Sequence, residues 1–350
     1  MAGASSSPGI DVAAVAGFCD RHGIGSGPTR VERLGDGHSN LTYLVERGGA
    51  RVVLRRPPPP PLPPSAHDML RESGIVDGLS RAGARVPRVL AVCRDERVIG
   101  VPFYVMTLAD GVPIDTQLPA EIADATECGR LGADIVDALV EVHAIDVRAT
   151  GLDVFGRADG YLARQVRRFL GLWEVNRTRD LPLVAAVGAR LAEAVPESGP
   201  ATVVHGDYRV GNLLAAPDPP GRVAAILDWE LATVGDPLAD LGYLVSTYAD
   251  SGPPPAEGIV DLSPVTRSAG FPGRSELVER YAARTGRPVA RLAWYEVLAH
   301  WKAAIFCENM YKRFLAGERR DAFARAMERG VPARLEAAAA AAARDRATAP

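Results

Sequence analysis

The chain has 350 residues, 47% hydrophobic and 24% charged, which is enough to bury a substantial core in one large or two modest domains. A formal net charge of −3 gives no global attraction to nucleic acid or to an anionic membrane surface, so neither is expected as a partner. Cys19, Cys93, Cys128 and Cys307 form no C-x-x-C or zinc spacing, no segment approaches the ~20 apolar residues that span a bilayer, and the start lacks a basic, then apolar leader; the expectation is a reduced, cytoplasmic protein.

Residues 1–9 are small and polar, and Ile10 to His22 carry Ile10, Val12, Val15 and Phe18 in the spacing of a short helix. Strands are expected at Val31 to Leu34, Leu41 to Glu46 and Arg51 to Arg55, with a Gly48-Gly49 hairpin turn between the last two. The proline block Pro57 to Pro64 donates no backbone hydrogen bonds and reads as an exposed connector. A helix over Asp68 to Ser80, strands at Val86 to Cys93 and Phe103 to Met106, and a hinge at Ala109-Asp110-Gly111 complete a small first lobe, residues 1–108. Residues 109–350 read as a larger, mostly helical lobe, in which Leu131, Ile135, Ala138 and Val142 share one helix face. Short strands at Val203 to Val204, Leu213 to Leu214 and Ala224 to Leu227 interrupt the helices, and an alanine-rich tail begins near Arg334. The expected fold class is α+β and bilobal, an antiparallel-sheet lobe with one main helix beside a helical lobe, with a nucleotide in the cleft.

The densest chemistry lies in VVHGDYRVGNLL, Val203 to Leu214, followed by AILDWE, Ala225 to Glu230. Phosphoryl transfer needs positioning, magnesium between phosphates and a carboxylate to receive the acceptor's proton. Asp207 lies five residues before Asn212, so one loop can present the base and return an amide oxygen to metal. Asp228 ends a strand and offers the hard oxygen that magnesium prefers. His205 starts the loop after an apolar strand and reads as a group that fixes the backbone. Taken alone, HGD with Asn212 also reads as an ordinary capped turn; the combination with ILDW favours the chemical reading.

With these motifs the chain resembles the aminoglycoside phosphotransferase and choline kinase group, whose fold is a reduced protein kinase. Within that group it is most similar to the phosphotransferase domains related to the kinase-like region of certain acyl-CoA dehydrogenase proteins. The likeness runs through GDGHSNLTYLV, VLRRPP, SAHDMLRE, YVM, VVHGDYRVGNLL, ILDWELATVGDPLADLGYL and WKAAIFCENMYKRFLAG. It implies ATP as phosphate donor, Mg2+, Asp207 as catalytic base and Asn212 and Asp228 as magnesium ligands. It also implies backbone contacts to adenine from Tyr104 to Leu108, Met106 among them. Where such kinases carry a phosphate-binding lysine this chain has Arg55, and its only lysines are Lys302 and Lys312. Glu72 falls within the apolar arc of Met69, Ile75, Val76 and Leu79, where a lone carboxylate is costly, so it is expected to pair with Arg55. Arg56 competes for that part, but strand alternation puts the two arginines on opposite faces. The pair reads either as part of the nucleotide site or as purely structural.

The turn Gly35 to Asn40 resembles the family's nucleotide loop, with Ser39 and Asn40 near phosphates, although an ordinary hairpin would look the same. Asp240, near the start of a helix, either accepts backbone N–H bonds from the catalytic loop or favours the helix dipole, a supporting part in both cases. Glu230, beside Trp229, replaces the glycine of a protein kinase D-F-G and argues for a constitutively formed site. Arg164, Arg167 and Arg168 share a helical face, with Leu162, Phe169 and Trp173 on another. They read either as a solvated basic face or, with Arg164, Arg168, Trp173 and Glu230, as the lining of a pocket for an anionic, partly apolar acceptor such as a hydroxyacyl-CoA. An aminoglycoside would call for clustered acids instead. The function expected is a small-molecule kinase; a nucleotide-binding pseudokinase or scaffold and an aminoglycoside phosphotransferase are the alternatives. A protein kinase is disfavoured by the lack of a separate activation segment after Asp228.

Overall fold

The computed structural model describes residues 10–35, 40–59, 67–114, 116–119, 122, 124–252 and 262–348. These divide into two compact units, Met1–Gly111 with Ala224–Ala232, and Val112–Val223 with Thr233–Pro350. The nine residues Ala224–Ala232 thus leave their sequence neighbours and cluster with the first unit.

The first unit opens with α1 (Val12–Arg21), capped by Asp11, whose carboxylate accepts from the Ala14 N–H at 3.0 Å. Strands β1 (Thr29–Arg33), β2 (Leu41–Arg47) and β3 (Ala50–Arg56) follow. Helix α2 (Met69–Arg81) starts at its Asp68 cap, which holds the Leu70 and Arg71 N–H groups at 3.1 and 3.0 Å. Strands β4 (Val89–Cys93) and β5 (Phe103–Thr107) complete a five-stranded antiparallel sheet ordered β1-β2-β3-β5-β4. Strand β4 begins three residues later than the expected Val86, because Pro87 has no N–H to give a ladder. Alternation divides the side chains between two faces: Tyr43, Val45, Val52, Leu54 and Val105 pack with Phe18 of α1, whereas Val53, Tyr104 and Met106 pack with Met69 of α2. Arg55 therefore emerges on the β3 face opposite to Leu54 and Arg56.

In the second unit the chain runs through β6 (Val112–Pro113), α3 (Ala125–His143), α4 (Tyr161–Asn176), α5 (Pro182–Glu193), β7 (Thr202–Val204) and β8 (Leu213–Ala215). Strand β9 (Val223–Ile226) carries it into the first unit, and it returns through β10 (Thr233–Gly235), α6 (Leu238–Thr247), α7 (Arg274–Thr285), α8 (Leu292–Leu315) and α9 (Ala322–Thr348). Strand β6 pairs antiparallel with β8, and β10 with β7. Helix α8 is apolar around most of its circumference, with Trp294, Tyr295, Val297, Leu298, Trp301 and Ile305 buried, as expected of a helix inside a core. Its two indoles are satisfied by carbonyls of α5, Trp294 donating to Leu191 at 3.2 Å and Trp301 to Val184 at 2.9 Å. The alanine-rich tail is helical and belongs to α9, which contains Pro332 ahead of it. Among the described residues no helix is long and apolar enough to cross a membrane.

Candidate active site

In the first unit the chemistry centres on Glu72, 2% exposed on α2. Arg55 Nε lies 2.6 Å from its Oε1, the pair expected from strand alternation and the helical wheel. Tyr104 donates to the same oxygen at 2.9 Å, and Asn40 Nδ2 to Oε2 at 3.0 Å. A buried carboxylate is tolerable when several donors replace its water. Arg55 also pairs through Nη2 with Asp228. Burial alone would disfavour the Arg55 charge, but Glu72 first and then Asp228 outweigh it and hold the guanidinium protonated.

Asp228 follows β9 in a left-handed conformation, φ 65° and ψ 65°. The only other non-glycine residue with positive φ among the described residues is His67, whose Nδ1 lies 2.8 Å from Asn40 Oδ1. Both strained positions thus join one network, and such strain persists where the surroundings over-determine it. Glu230 accepts from Asn40 Nδ2 at 2.9 Å, so the amide engages Glu72, His67 and Glu230 together. Asn40 is 4% exposed and organises carboxylates here, and Glu230 is tied into the same network. Ser39 lies outside the described residues. Met106 sits inside the sheet, opposite Val53 of β3 and Val89 of β4.

In the second unit the loop after β7 is anchored by Asp240, which is wholly buried on α6. Its Oδ2 accepts from the His205 N–H at 2.6 Å and its Oδ1 from the Gly206 N–H at 2.8 Å. Gly206 has φ 86°, a left-handed turn that glycine makes without strain. His143 Nε2 faces Asp240 Oδ2 at 3.3 Å while its Nδ1 meets the Tyr281 hydroxyl at 2.8 Å. Burial opposes the Asp240 charge, but the His143 hydrogen bond and the charges of His143 and His205 more than offset it, and the carboxyl is held below its ordinary range. Of the two parts expected for Asp240, accepting the loop's N–H groups is therefore the one observed.

His205, fully buried, accepts the Asp207 N–H on Nδ1 at 3.2 Å, which fixes the loop backbone. Asp207 Oδ2 then accepts from Asn212 Nδ2 at 2.8 Å. The same amide nitrogen reaches the Asp207 carbonyl at 2.9 Å, so the Asn212 oxygen is the atom left to face a ligand. The Tyr243 hydroxyl, three residues beyond Asp240 on the same helix, hydrogen-bonds the Asp207 carboxylate, and Arg209 Nε lies 3.7 Å from its Oδ2. Sequence reasoning missed Tyr243, although its spacing from Asp240 carried the signal.

The proposed acceptor residues separate. Trp173 is 7% exposed and belongs to the core face of α4, because the apolar stripe of that helix turns inward. Arg164 donates to the carbonyls of Asp159 and Arg157 at the start of α4 and so shapes its own loop. Arg168 is exposed.

A model of the phosphotransferase enzyme family matches residues 30–271. Acyl-CoA dehydrogenase family member 10 of Mus musculus is 33% identical over 296 residues, which are 84% of this chain and 27% of the relative; the chain therefore spans about a quarter of that relative's length. Among solved structures, a candidate aminoglycoside phosphotransferase from Ralstonia eutropha superimposes with TM-score 0.77 at 28% identity over 95% of this chain and 99% of the other. The aminoglycoside phosphotransferase APH(4)-Ia, solved as a ternary complex with ADP and hygromycin B, has TM-score 0.60 at 18% identity over 94% and 99%. The fold is of the protein-kinase-like α+β type that this group shares.

Proposed function

Since the chain belongs to the phosphotransferase enzyme family, we propose that it is a small-molecule kinase moving the γ-phosphate of ATP, with magnesium, to a hydroxyl of an anionic metabolite such as a hydroxyacyl-CoA. The observation that carries this reading is the Asp207 carboxylate, fixed by Asn212 and Tyr243 on a loop that Asp240 anchors through two backbone N–H groups. In this reading Asp207 receives the acceptor's proton, the acceptor oxygen bonds to the γ-phosphorus, and the bond from that phosphorus to the bridging oxygen of ADP breaks. Arg55, oriented by Glu72, serves the nucleotide phosphates where relatives use lysine. The ADP bound by APH(4)-Ia supports an adenine nucleotide as donor.

The donor set suits magnesium. Among the described residues no group of three or more His, Cys, Asp or Glu could hold a metal alone, and magnesium typically takes one or two protein oxygens beside substrate phosphates. Asn212 and Asp228 would supply them. Bound there, the ion neutralises charge on the phosphates.

The pseudokinase reading has one observation in its favour: Asp228 is ion-paired with Arg55, and a ligand carboxylate held by arginine is withdrawn from metal. Incubation with γ-labelled ATP, magnesium and a panel of hydroxy acids, their CoA thioesters and aminoglycosides separates the readings. Label on a hydroxylated anion is the expected result. Label on aminoglycosides alone would reverse the acceptor assignment, and no labelled acceptor with no magnesium-dependent nucleotide binding would favour the scaffold.

A further inference from the structure

Each of the three guanidinium nitrogens of Arg55 has a different partner. Nε lies 2.6 Å from Glu72 Oε1, Nη2 pairs with Asp228 Oδ1, and Nη1 donates to Thr42 Oγ1 at 3.4 Å. All four residues belong to the first unit. The two carboxylates differ in how firmly they are held. The Glu72 side chain is 3% exposed and is also bound by Tyr104 and Asn40, whereas the Asp228 side chain is 32% exposed. Burial makes the first pair costly to break and leaves the second, nearer to water, as the one that exchanges.

The backbone around Asp228 is tethered on both sides. The Ile226 N–H donates to the Arg85 carbonyl at 2.7 Å, Arg71 Nη2 donates to the Ala232 carbonyl at 2.6 Å, and Glu230 accepts from Asn40 at 2.9 Å. Between these points Trp229 is 2% exposed, with its indole N–H on the Ile226 carbonyl at 3.0 Å. The Asp228 side chain can therefore leave Arg55 by rotation about its own bonds while the backbone stays in place. A divalent ion on Asp228 would stand beside a guanidinium that already neutralises the same carboxylate, so ion and arginine compete for one negative charge. A polyphosphate reverses the balance, because its oxygens suit the arginine fork and carry charge enough to draw it from the carboxylate.

We infer that the Arg55–Asp228 pair is a latch: an internal cation holds the metal-binding carboxylate until the phosphates of a nucleotide take the arginine over. The site then binds divalent metal poorly by itself and fully only with nucleotide. The inference rests on the kinase reading for Asp228 as a metal ligand. It turns on the fork, because a lysine, with a single nitrogen, would stay with the buried Glu72 and leave Asp228 open.

Manganese, which suits the same oxygen ligands as magnesium and is seen directly by electron paramagnetic resonance, reports the latch without turnover. The free-ion signal is followed against nucleotide-free protein for wild type, for Arg55→Lys, and for Arg55→Gln combined with Glu72→Gln so that no buried carboxylate is orphaned, each checked for folding by circular dichroism. Both variants should bind manganese about tenfold more tightly than wild type, the scale of a typical coupling between sites, and adding Asp228→Asn to either should remove the gain. Wild type binding as tightly as the variants, or no binding by any of them, would overturn the latch. A gain in the glutamine variant alone would also overturn it, since loss of charge rather than release of Asp228 would then be the cause. Tighter manganese binding by both variants, with no phosphate transfer by wild type to any acceptor, leaves the latch standing and removes the kinase reading; transfer by wild type with metal affinity unchanged in the variants does the reverse.

Discussion

Replacing Arg55 by alanine should destabilise the first unit by an amount that depends on pH in a defined way. Glu72 is 2% exposed and would keep only the Tyr104 hydroxyl and the Asn40 amide as donors. Breaking a buried ion pair by removing one partner commonly costs about 3–5 kcal/mol. The orphaned carboxyl has an escape, because it can bind a proton. Neutralising an ordinary glutamate, pKa ~4.3, at pH 7 costs about 3.7 kcal/mol, which caps the penalty near that value. At pH 5 the same step costs only about 1 kcal/mol. In the variant Glu72 has a folded pKa above its unfolded one, so stability from its protonated form is present below about pH 4 and is lost as pH rises through the folded value. Urea titrations at pH 5, 6, 7 and 8 should show the deficit of Arg55→Ala growing with pH from about 1 toward 3–4 kcal/mol, and Arg55→Ala with Glu72→Gln should flatten it. A deficit below about 1 kcal/mol at pH 7, or one independent of pH, would refute the reasoning.

Asp240→Asn turns one of two backbone acceptors into a donor that faces a buried N–H of His205 or Gly206, a loss of about 1–3 kcal/mol. Because the Asp240 carboxyl is held below its ordinary range, its contribution is present above its unfolded pKa and fades as pH falls through the lower folded value. The deficit of the variant should therefore narrow between pH 7 and pH 3, and a constant deficit would contradict it. For Lys302, pushed down to about 8 against ~10.4 in the unfolded chain, the unfolded state binds more protons between those limits, so stability should rise with pH there. Lys302→Met should lose that rise in chemical denaturation at pH 7.5 and 9.5, and parallel slopes would speak against it.

What the sequence made legible was local and periodic. The strand alternation that separates Arg55 from Arg56 and the helical wheel that buries Glu72 are one-element patterns, and together they led to an ion pair 2.6 Å long. Asp240 was legible only as one of two parts, since its bonds to His205 and Gly206 join residues 35 and 34 apart. For Trp173 a helical stripe gives a face but not its direction; the stripe of α4 turns to the core. Nothing in sequence order announces that Ala224–Ala232 leaves its neighbours for the first unit.

The account stands most directly on Asp207 as the group that takes the acceptor's proton. Once an acceptor is found, single-turnover transfer of label from γ-labelled ATP should be compared for wild type and Asp207→Asn, with nucleotide affinity measured in parallel. Loss of a positioned general base predicts transfer slower by about 10²–10⁴-fold, with the dissociation constant for magnesium nucleotide changed little. Transfer by Asp207→Asn at the wild-type rate would contradict it.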